Sequence, residues 1–249
     1  MSDLTDFRRS MRADLARFVA CAIAAVLLAG LVVLLSGCQQ LTDLAARLQK
    51  LQPAAAEPAT AQAQPIPPQA VPEPPRAALA YRNDLVRTSR AVWGMDAPVA
   101  VFAAQIHQES AWNHRAVSKV GAAGLAQFMP GTTKWIGTLD PQLAAREPYN
   151  PAWAMRALVF YDQWLFERAP ARYEAFDRMW VALRGYNGGL GHWQAEAAAS
   201  GAAKPTRLQV DKACGRARRS AAHCPENLGY PHRILQVLQP RYLRWGPGL

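Results

Sequence analysis

Between Gln52 and Pro75 the chain carries eight prolines and no aromatic residue, and this stretch limits how everything around it can be arranged. Its remaining residues are mostly Ala, Gln and Glu, a composition that cannot bury enough apolar surface to offset the entropy of ordering a chain. Proline fixes φ and removes a backbone donor, so neither a helix nor a central strand can run through the segment. Extended polyproline II is the expected form, at ~3.1 Å per residue and a reach on the order of 70 Å. The 249 residues therefore divide into an N-terminal segment 1–38, a tether 39–76 and one globular domain 77–249. The 51% hydrophobic content is misleading until this division is made, because the first forty residues and the alanines of the tether supply much of it without building a core.

The N-terminal segment is membrane-directing. Arg8, Arg9, Arg12 and Arg17 precede eighteen uncharged residues, Phe18 to Leu35. A basic flank stays in the cytoplasm and sends the C-terminal remainder of the chain across the membrane. The run ends in Leu35-Ser36-Gly37-Cys38, which looks like a lipobox, the signal for lipidation of the cysteine and cleavage before it. Gln39 beside Cys38 resembles lipoproteins sent to an outer membrane. Eighteen apolar residues also suffice to span a bilayer uncleaved, so an inner-membrane helix is the alternative anchor. Either reading places the globular domain outside the cytoplasm, periplasmic and membrane-anchored.

The formal charge is +10, and the four Arg and three Asp of residues 1–38 account for only one unit of it, leaving +9 on residues 39–249. Such a surface attracts nucleic acid, anionic lipid or an acidic polymer without choosing among them. No zinc-finger spacing, helix-turn-helix signature or aromatic and basic RNA motif is present, so nucleic acid is not the expected partner. Bacterial wall, whose stem peptides carry carboxylates, fits the charge equally well. Cys214 and Cys224 bracket the Arg-rich segment CGRARRSAAHC. In an exported domain they are expected to form a disulfide contributing ~2 to 3 kcal/mol; in a cytosolic protein they would be free thiols. No second Cys or His pair stands at ligand spacing, so no metal site and no cofactor is expected.

From Ala77 onward apolar residues recur at helical spacing, and alternating β-branched runs are scarce. The domain is expected to be all-α. Asp96 with Ala97-Pro98 reads as an N-cap followed by proline, opening a helix through Ser110. Asn150-Pro151 opens a second helix that stops near Ala169-Pro170, and further helices are expected over 172–183 and 231–243. The glycine-rich stretches 121–124 and 185–191 read as loops between them. On the first helix Val99, Phe102, Ile106 and Glu109 share a face, which puts a carboxylate on the apolar side near the helix carbonyl end. Lost hydration and the helix dipole both raise its pKa, as a general acid near neutrality requires. Spacing alone equally describes a rim glutamate with its head in water.

Three ordered motifs favour the first description. They are Glu109-Ser110, the run Gly121-Ala-Ala-Gly124-Leu-Ala-Gln127-Phe-Met129-Pro130, and Tyr186-Asn187-Gly188-Gly189. Together the chain resembles soluble-lytic-transglycosylase-like domains of the lysozyme superfamily over roughly Val92 to Leu190, with Asn150-Pro151 and Tyr161 fitting the family's middle helix. The resemblance implies a lysozyme-like, goose-type α fold with a groove for peptidoglycan glycan strands. It gives Glu109 as the catalytic acid/base, and Ser118, Gln127, Met129, Tyr186 and Asn187 as substrate-binding positions. The Tyr186 hydroxyl is expected beside the catalytic carboxyl, with Asn187 as a supporting amide. Gly185 stands where the family usually has Ala, and Ala126 where it usually has Met, which affects fine specificity more than catalysis. The Tyr161-Asp162-Gln163-Trp164 helix and the segment Cys224-Pro-Glu-Asn-Leu-Gly-Tyr230-Pro look like phage and prophage lytic enzymes.

A two-carboxylate glycosidase needs a second acid near the first, and from Ser110 to Pro141 the only acidic residue is Asp140. A single carboxyl points to a lytic transglycosylase, which cleaves the MurNAc–GlcNAc bond and closes the muramyl C6 hydroxyl onto C1. A goose-type lysozyme using water and a noncatalytic wall-binding domain are the alternatives.

Overall fold

The structure, a computed structural model, describes residues 72–249. The expectations for Cys38, for the apolar run Phe18 to Leu35 and for most of the tether fall outside the described residues. Within them, helices make up the regular structure apart from two isolated bridges, Val117–Ala123 and Ala123–Phe128, so the domain is all-α. No helix among the described residues is long and apolar enough to cross a membrane.

In chain order the α-helices are α1 (Arg76–Leu79), α2 (Arg82–Trp93), α3 (Val99–Ser110), α4 (Pro130–Ile136), α5 (Pro151–Arg168), α6 (Ala175–Gly188), α7 (Leu190–Ala198), α8 (Arg207–Lys212) and α9 (Cys224–His232). A wider turn, Arg233–Leu238, and a tighter one, Gln239–Tyr242, continue α9 towards the C-terminus. Helix α3 lies at the centre. Every side chain from Val99 to Ile106 is buried, so the helix is enclosed on all sides instead of being amphipathic as its spacing suggests. Ala100, Ala103 and Ala104 keep its surface shallow, and α2 and the segment 233–242 pack on it. The Ala100 amide donates to the Pro247 carbonyl at 2.9 Å, fastening the C-terminal end beside it. Helix α5 packs against both α2 and α6, and α6 in turn against α7 and α9.

Several helix boundaries differ from the sequence expectation, each for a local reason. Pro98, at φ −76° and ψ 67°, is the last residue before α3. It restricts Ala97 to extended backbone, so Asp96 lies outside the cap. Asn150 does cap α5, its side chain accepting from the Ala152 amide, with Pro151 at the first position. Helix α6 runs through Gly185 and Gly188, residues expected in a loop. These glycines serve packing: a Cβ on Gly185 would stand 2.9 Å from Leu165 Cδ2, and one on Gly188 2.2 Å from Arg219 Nη1. The chain turns only at Gly189, where φ is +86°. Helix α9 opens at Cys224, with Pro225 in its first turn, and holds Pro231 inside it, whereas the sequence expectation has Pro231 opening a helix. The Cys214–Cys224 disulfide, with Cα atoms 5.9 Å apart, closes the Arg-rich segment onto the start of α9.

Between α3 and α4 the chain folds back on itself twice. The Ser118 amide donates to the Ala122 carbonyl at 2.9 Å, and Ala123 and Phe128 exchange backbone hydrogen bonds at 3.1 Å in both directions. Gly124, at φ +77°, sits so close to the 148–149 backbone that a Cβ would fall 1.7 Å from the Pro148 carbonyl oxygen. Gly121 has φ +86° with open space around it. In urea unfolding, Gly121→Ala should cost about 1 to 2 kcal/mol, the left-handed backbone penalty alone. Gly124→Ala should cost more than about 3 kcal/mol, because backbone must also move.

Candidate active site

Burial of α3 ends at Ile106, and its last turn, His107 to Ser110, reaches partial exposure. Glu109 thereby stands at the mouth of an otherwise enclosed helix, facing a cleft of about 290 Å³. Ser118, Gln127, Met129, Tyr186 and Asn187, dispersed over seventy positions of sequence, line that same cleft with it. The structure thus brings together all six residues singled out from the motifs.

Their individual contacts are more specific than the motifs imply. Ser118 Oγ accepts from the Ala122 amide at 2.9 Å, shaping the loop while still facing the cleft. Gln127, at φ +47°, donates from Nε2 to the carbonyls of Ala116 at 3.2 Å and Gly124 at 2.9 Å. Its amide is therefore occupied in holding the double turn. Tyr186 does not hydrogen-bond Glu109; its hydroxyl donates to the Ala126 carbonyl at 2.6 Å. The hydroxyl on the carboxyl belongs to Tyr230, which donates to Glu109 Oε1. The Tyr186 and Tyr230 rings lie in near-parallel planes with their centres 6.4 Å apart. Asn187 supports a different acid: its Nδ2 donates to Glu226 at 3.3 Å and its Oδ1 accepts from Asn227 at 3.0 Å.

Two further carboxyls surround Glu109, correcting the expectation of an isolated acid. Glu226, on α9, lines the same cleft. Asp162, on α5, is fully buried, accepts from Gln105 Nε2 at 3.3 Å and is held well above the usual carboxylate range by burial. Glu226 and Tyr230 escape the sequence reading because Pro231 looks like a helix start. They stand four residues apart, one helical turn, and a helix opened instead by Pro225 puts both on one face.

The environment of Glu109 follows from these neighbours. Phe128, Tyr161 and Tyr186 form a contiguous aromatic wall, with Tyr161 and Tyr186 ring centres 5.3 Å apart. Burial against this wall pushes the Glu109 carboxyl up to about 7; the Tyr230 hydrogen bond pulls the other way, and the Glu226 charge adds to the rise. Tyr230 itself is raised well above its ordinary value by burial and by Glu109, so it remains a donor. Since Tyr230 occupies Oε1, the proton of the neutral acid belongs on Oε2. Behind the site, Trp112 Nε1 donates to the Tyr242 hydroxyl at 2.9 Å, and that hydroxyl meets His107 Nδ1 at 2.9 Å. Burial, then the Arg241 and Arg233 charges, lower the His107 pKa and favour its neutral form.

The chain is similar to known proteins over part of its length. Residues 90–208, from within α2 to the start of α8, match the family described as the transglycosylase SLT domain. Among curated relatives, membrane-bound lytic murein transglycosylase F of Idiomarina loihiensis is 35% identical over 92 residues, 37% of this chain and 19% of that protein. The same enzyme of Shewanella frigidimarina is 36% identical over 91 residues, 36% of this chain and 18% of that one. The chain thus spans about a fifth of the length of the curated relatives it matches. Among solved structures, the 70-kDa soluble lytic transglycosylase of Escherichia coli gives a TM-score of 0.47 at 22% identity, over 66% of this chain and 24% of that one. The complex of the 70-kDa soluble lytic transglycosylase with bulgecin A gives 0.47 at 25%, over 68% and 25%. Glu226 and Tyr230 lie beyond the residues of the SLT match.

The pH behaviour of the domain follows from the sign of each contribution. An acid with its pKa raised to about 7 is protonated below that pH, so a rate that depends on Glu109 as proton donor should fall as pH rises through about 7. The Tyr230 hydrogen bond favours the anion and lowers that pKa. Removing it with Tyr230→Phe should move the alkaline limb of kcat/KM to higher pH. A limb that moved down, or did not move, would contradict the assignment.

Proposed function

We propose that this domain is a peptidoglycan lytic transglycosylase that breaks the β-1,4 bond between N-acetylmuramic acid and N-acetylglucosamine. The observation that carries this reading is Glu109 at the end of an enclosed helix, its carboxyl pushed up to about 7 by burial, in a cleft lined by all the motif residues. In the first step Glu109 gives its proton to the glycosidic oxygen, the C1–O bond breaks, and the muramyl acetamido oxygen bonds to C1 as an oxazolinium. In the second, the Glu109 carboxylate takes the proton of the muramyl C6 hydroxyl. O6 then bonds to C1 and displaces the acetamido oxygen, leaving a 1,6-anhydro end. The proton returns to Glu109 and no water is consumed. Ser118 and Tyr186 would orient the sugar, and Tyr230 would hold the carboxyl between its two tasks.

Glu226 favours a second reading. A carboxylate in the same cleft could activate water, giving a goose-type hydrolase with a reducing end. Two features support export in either case. The basic flank and apolar run before Cys38 direct the chain to a membrane, as a lipoprotein or by an uncleaved helix. The Cys214–Cys224 disulfide suits an oxidising compartment. Digestion of purified wall followed by mass analysis separates the two chemistries. Anhydromuropeptides, lighter by one water than hydrolysis products, are the expected outcome; reducing ends alone would leave the hydrolase. Glu109→Gln should lower the rate by at least about a thousandfold, and a fully active variant would remove Glu109 from the chemistry.

A further inference from the structure

Helix α2 forms one side of a groove of about 570 Å³, lined by Arg82, Asn83, Val86, Arg87, Arg90 and Trp245. Arg82, Val86 and Arg90 repeat every four residues and so stand in one row along the helix. Val86 and Trp245 supply the apolar part, and no acid lines the groove. None of these residues lines the cleft of Glu109. The chemistry proposed above leaves them without a task.

The three arginines are accessible, each of them exposed. Arg87 pairs with Asp84, one turn earlier, and Arg82 donates to the Arg244 carbonyl at 3.2 Å. No carboxylate meets Arg82 or Arg90 among the described residues. The Arg244 side chain is 87% exposed and meets Glu73 at 3.4 Å, and ion pairs this open to water hold little. With Arg76 exposed at the start of α1, five arginines stand against two acids on this face. Arg87 and Arg90, three residues apart, repel each other on the helix, and an anionic surface laid along them would relieve the repulsion. The tether joins the domain at the same place, since Glu73, the partner of Arg244, belongs to the tether segment 39–76.

We propose that this face docks on an anionic phospholipid surface, that of the membrane to which the chain is tethered. The proposal rests on the membrane-anchored reading above and is independent of the cleavage chemistry. Phosphodiester headgroups match the forked donors of arginine, and each basic residue close to an anionic surface adds to the attraction. Leu79 and Leu243, each more than half exposed, neighbour the arginines in sequence. Apolar side chains beside basic ones suit the boundary between headgroups and acyl chains, whereas a soluble acidic polymer offers them nothing. The tether alone lets the domain range on the order of 70 Å from its anchor. Docking holds it at the membrane through residues that the cleft does not use.

Arginine footprinting of the full chain reconstituted in vesicles tests this. A dicarbonyl reagent modifies accessible guanidinium groups, and mass spectrometry reads each site. The vesicles are phosphatidylcholine alone, or phosphatidylcholine with an equal part of phosphatidylglycerol. Modification of Arg82, Arg87, Arg90 and Arg244 should slow by about fivefold or more on the anionic vesicles, the worth of one arginine near such a surface. High salt should abolish the difference, and Arg218, exposed elsewhere, should react equally on both. Arg87→Gln combined with Arg90→Gln should lose most of the protection at Arg82 and Arg244, and Arg87→Lys combined with Arg90→Lys should keep it. Both positions are exposed, so the variants should fold. Equal rates on the two vesicles, or protection by purified wall fragments on neutral vesicles in place of anionic lipid, would overturn the docking face and leave the anchor intact. A chain that floats with neither vesicle would remove the anchored reading, and the docking face with it.

Discussion

Arg184 has no exposed surface, and the placement of the cleft's far wall depends on it. Its guanidinium donates to Glu196 on α7, to Asp211 on α8 at 2.8 Å and to Asn227 on α9 at 2.9 Å. Taking a charge out of water costs several kcal/mol unless such partners are supplied, and removing any one of them typically destabilises by about 3 to 5 kcal/mol. Three short helices are thereby tied to α6 through one guanidinium, and α7 and α8 also share a small apolar cluster through Trp193 and Val210. Arg219 extends the network through the other oxygen of Glu196, and Arg207 through the other oxygen of Asp211 at 2.8 Å. Asn227 carries the constraint to the cleft: it also donates to the Arg184 carbonyl and to Asn187, both at 3.0 Å. Glu226 is its chain neighbour, and Tyr230 lies one turn further on. The charge network thus sets where the hydroxyl that touches Glu109 stands.

The near wall is built by the opposite kind of force. Helix α3 is held by apolar burial over two full turns, and its alanines admit neighbours closely enough to leave no room for water. The carboxyl at its end shares the cleft with aromatic rings and accepts from the Tyr230 hydroxyl. An ionisable group on a rigid apolar support, facing a polar wall across a cleft, retains its proton near neutrality and can release it when substrate supplies the acceptor. The left-handed backbone at Ala111 and Trp112, φ 48° and 69°, turns the chain sharply away after Ser110. Trp112 is then locked in the core by its bond to Tyr242, so this unfavourable backbone is maintained by packing.

Legibility in the sequence tracks the range of the interactions. Helix α5 is readable because an Asn-Pro start and a Pro stop are local signals. The all-α character, and the convergence of Glu109 with Ser118, Gln127, Met129, Tyr186 and Asn187, are readable from periodicity and ordered motifs. Gly185 and Gly188 mislead because glycine serves two purposes, turning a chain and admitting a close neighbour. Only the positions of Leu165, Arg219 and Asn227 decide which applies. Tyr230 and Glu226 are hidden by a proline that sits inside a helix, and Asp162 by distance along the chain from Glu109. The Arg184 network cannot be read at all, since its members are scattered from Arg184 to Asn227 and none announces its partner.

The central claim is that burial, modulated by Tyr230 and Glu226, raises the Glu109 carboxyl to about 7. Carbon NMR of the protein labelled at glutamate side-chain carboxyls measures this directly, with Glu109→Gln identifying the resonance. A carboxyl absent from the variant and titrating near pH 7 is the predicted result. If the resonance lost in Glu109→Gln titrates in the ordinary glutamate range near ~4.3, the environment described here does not control the acid, and the account fails.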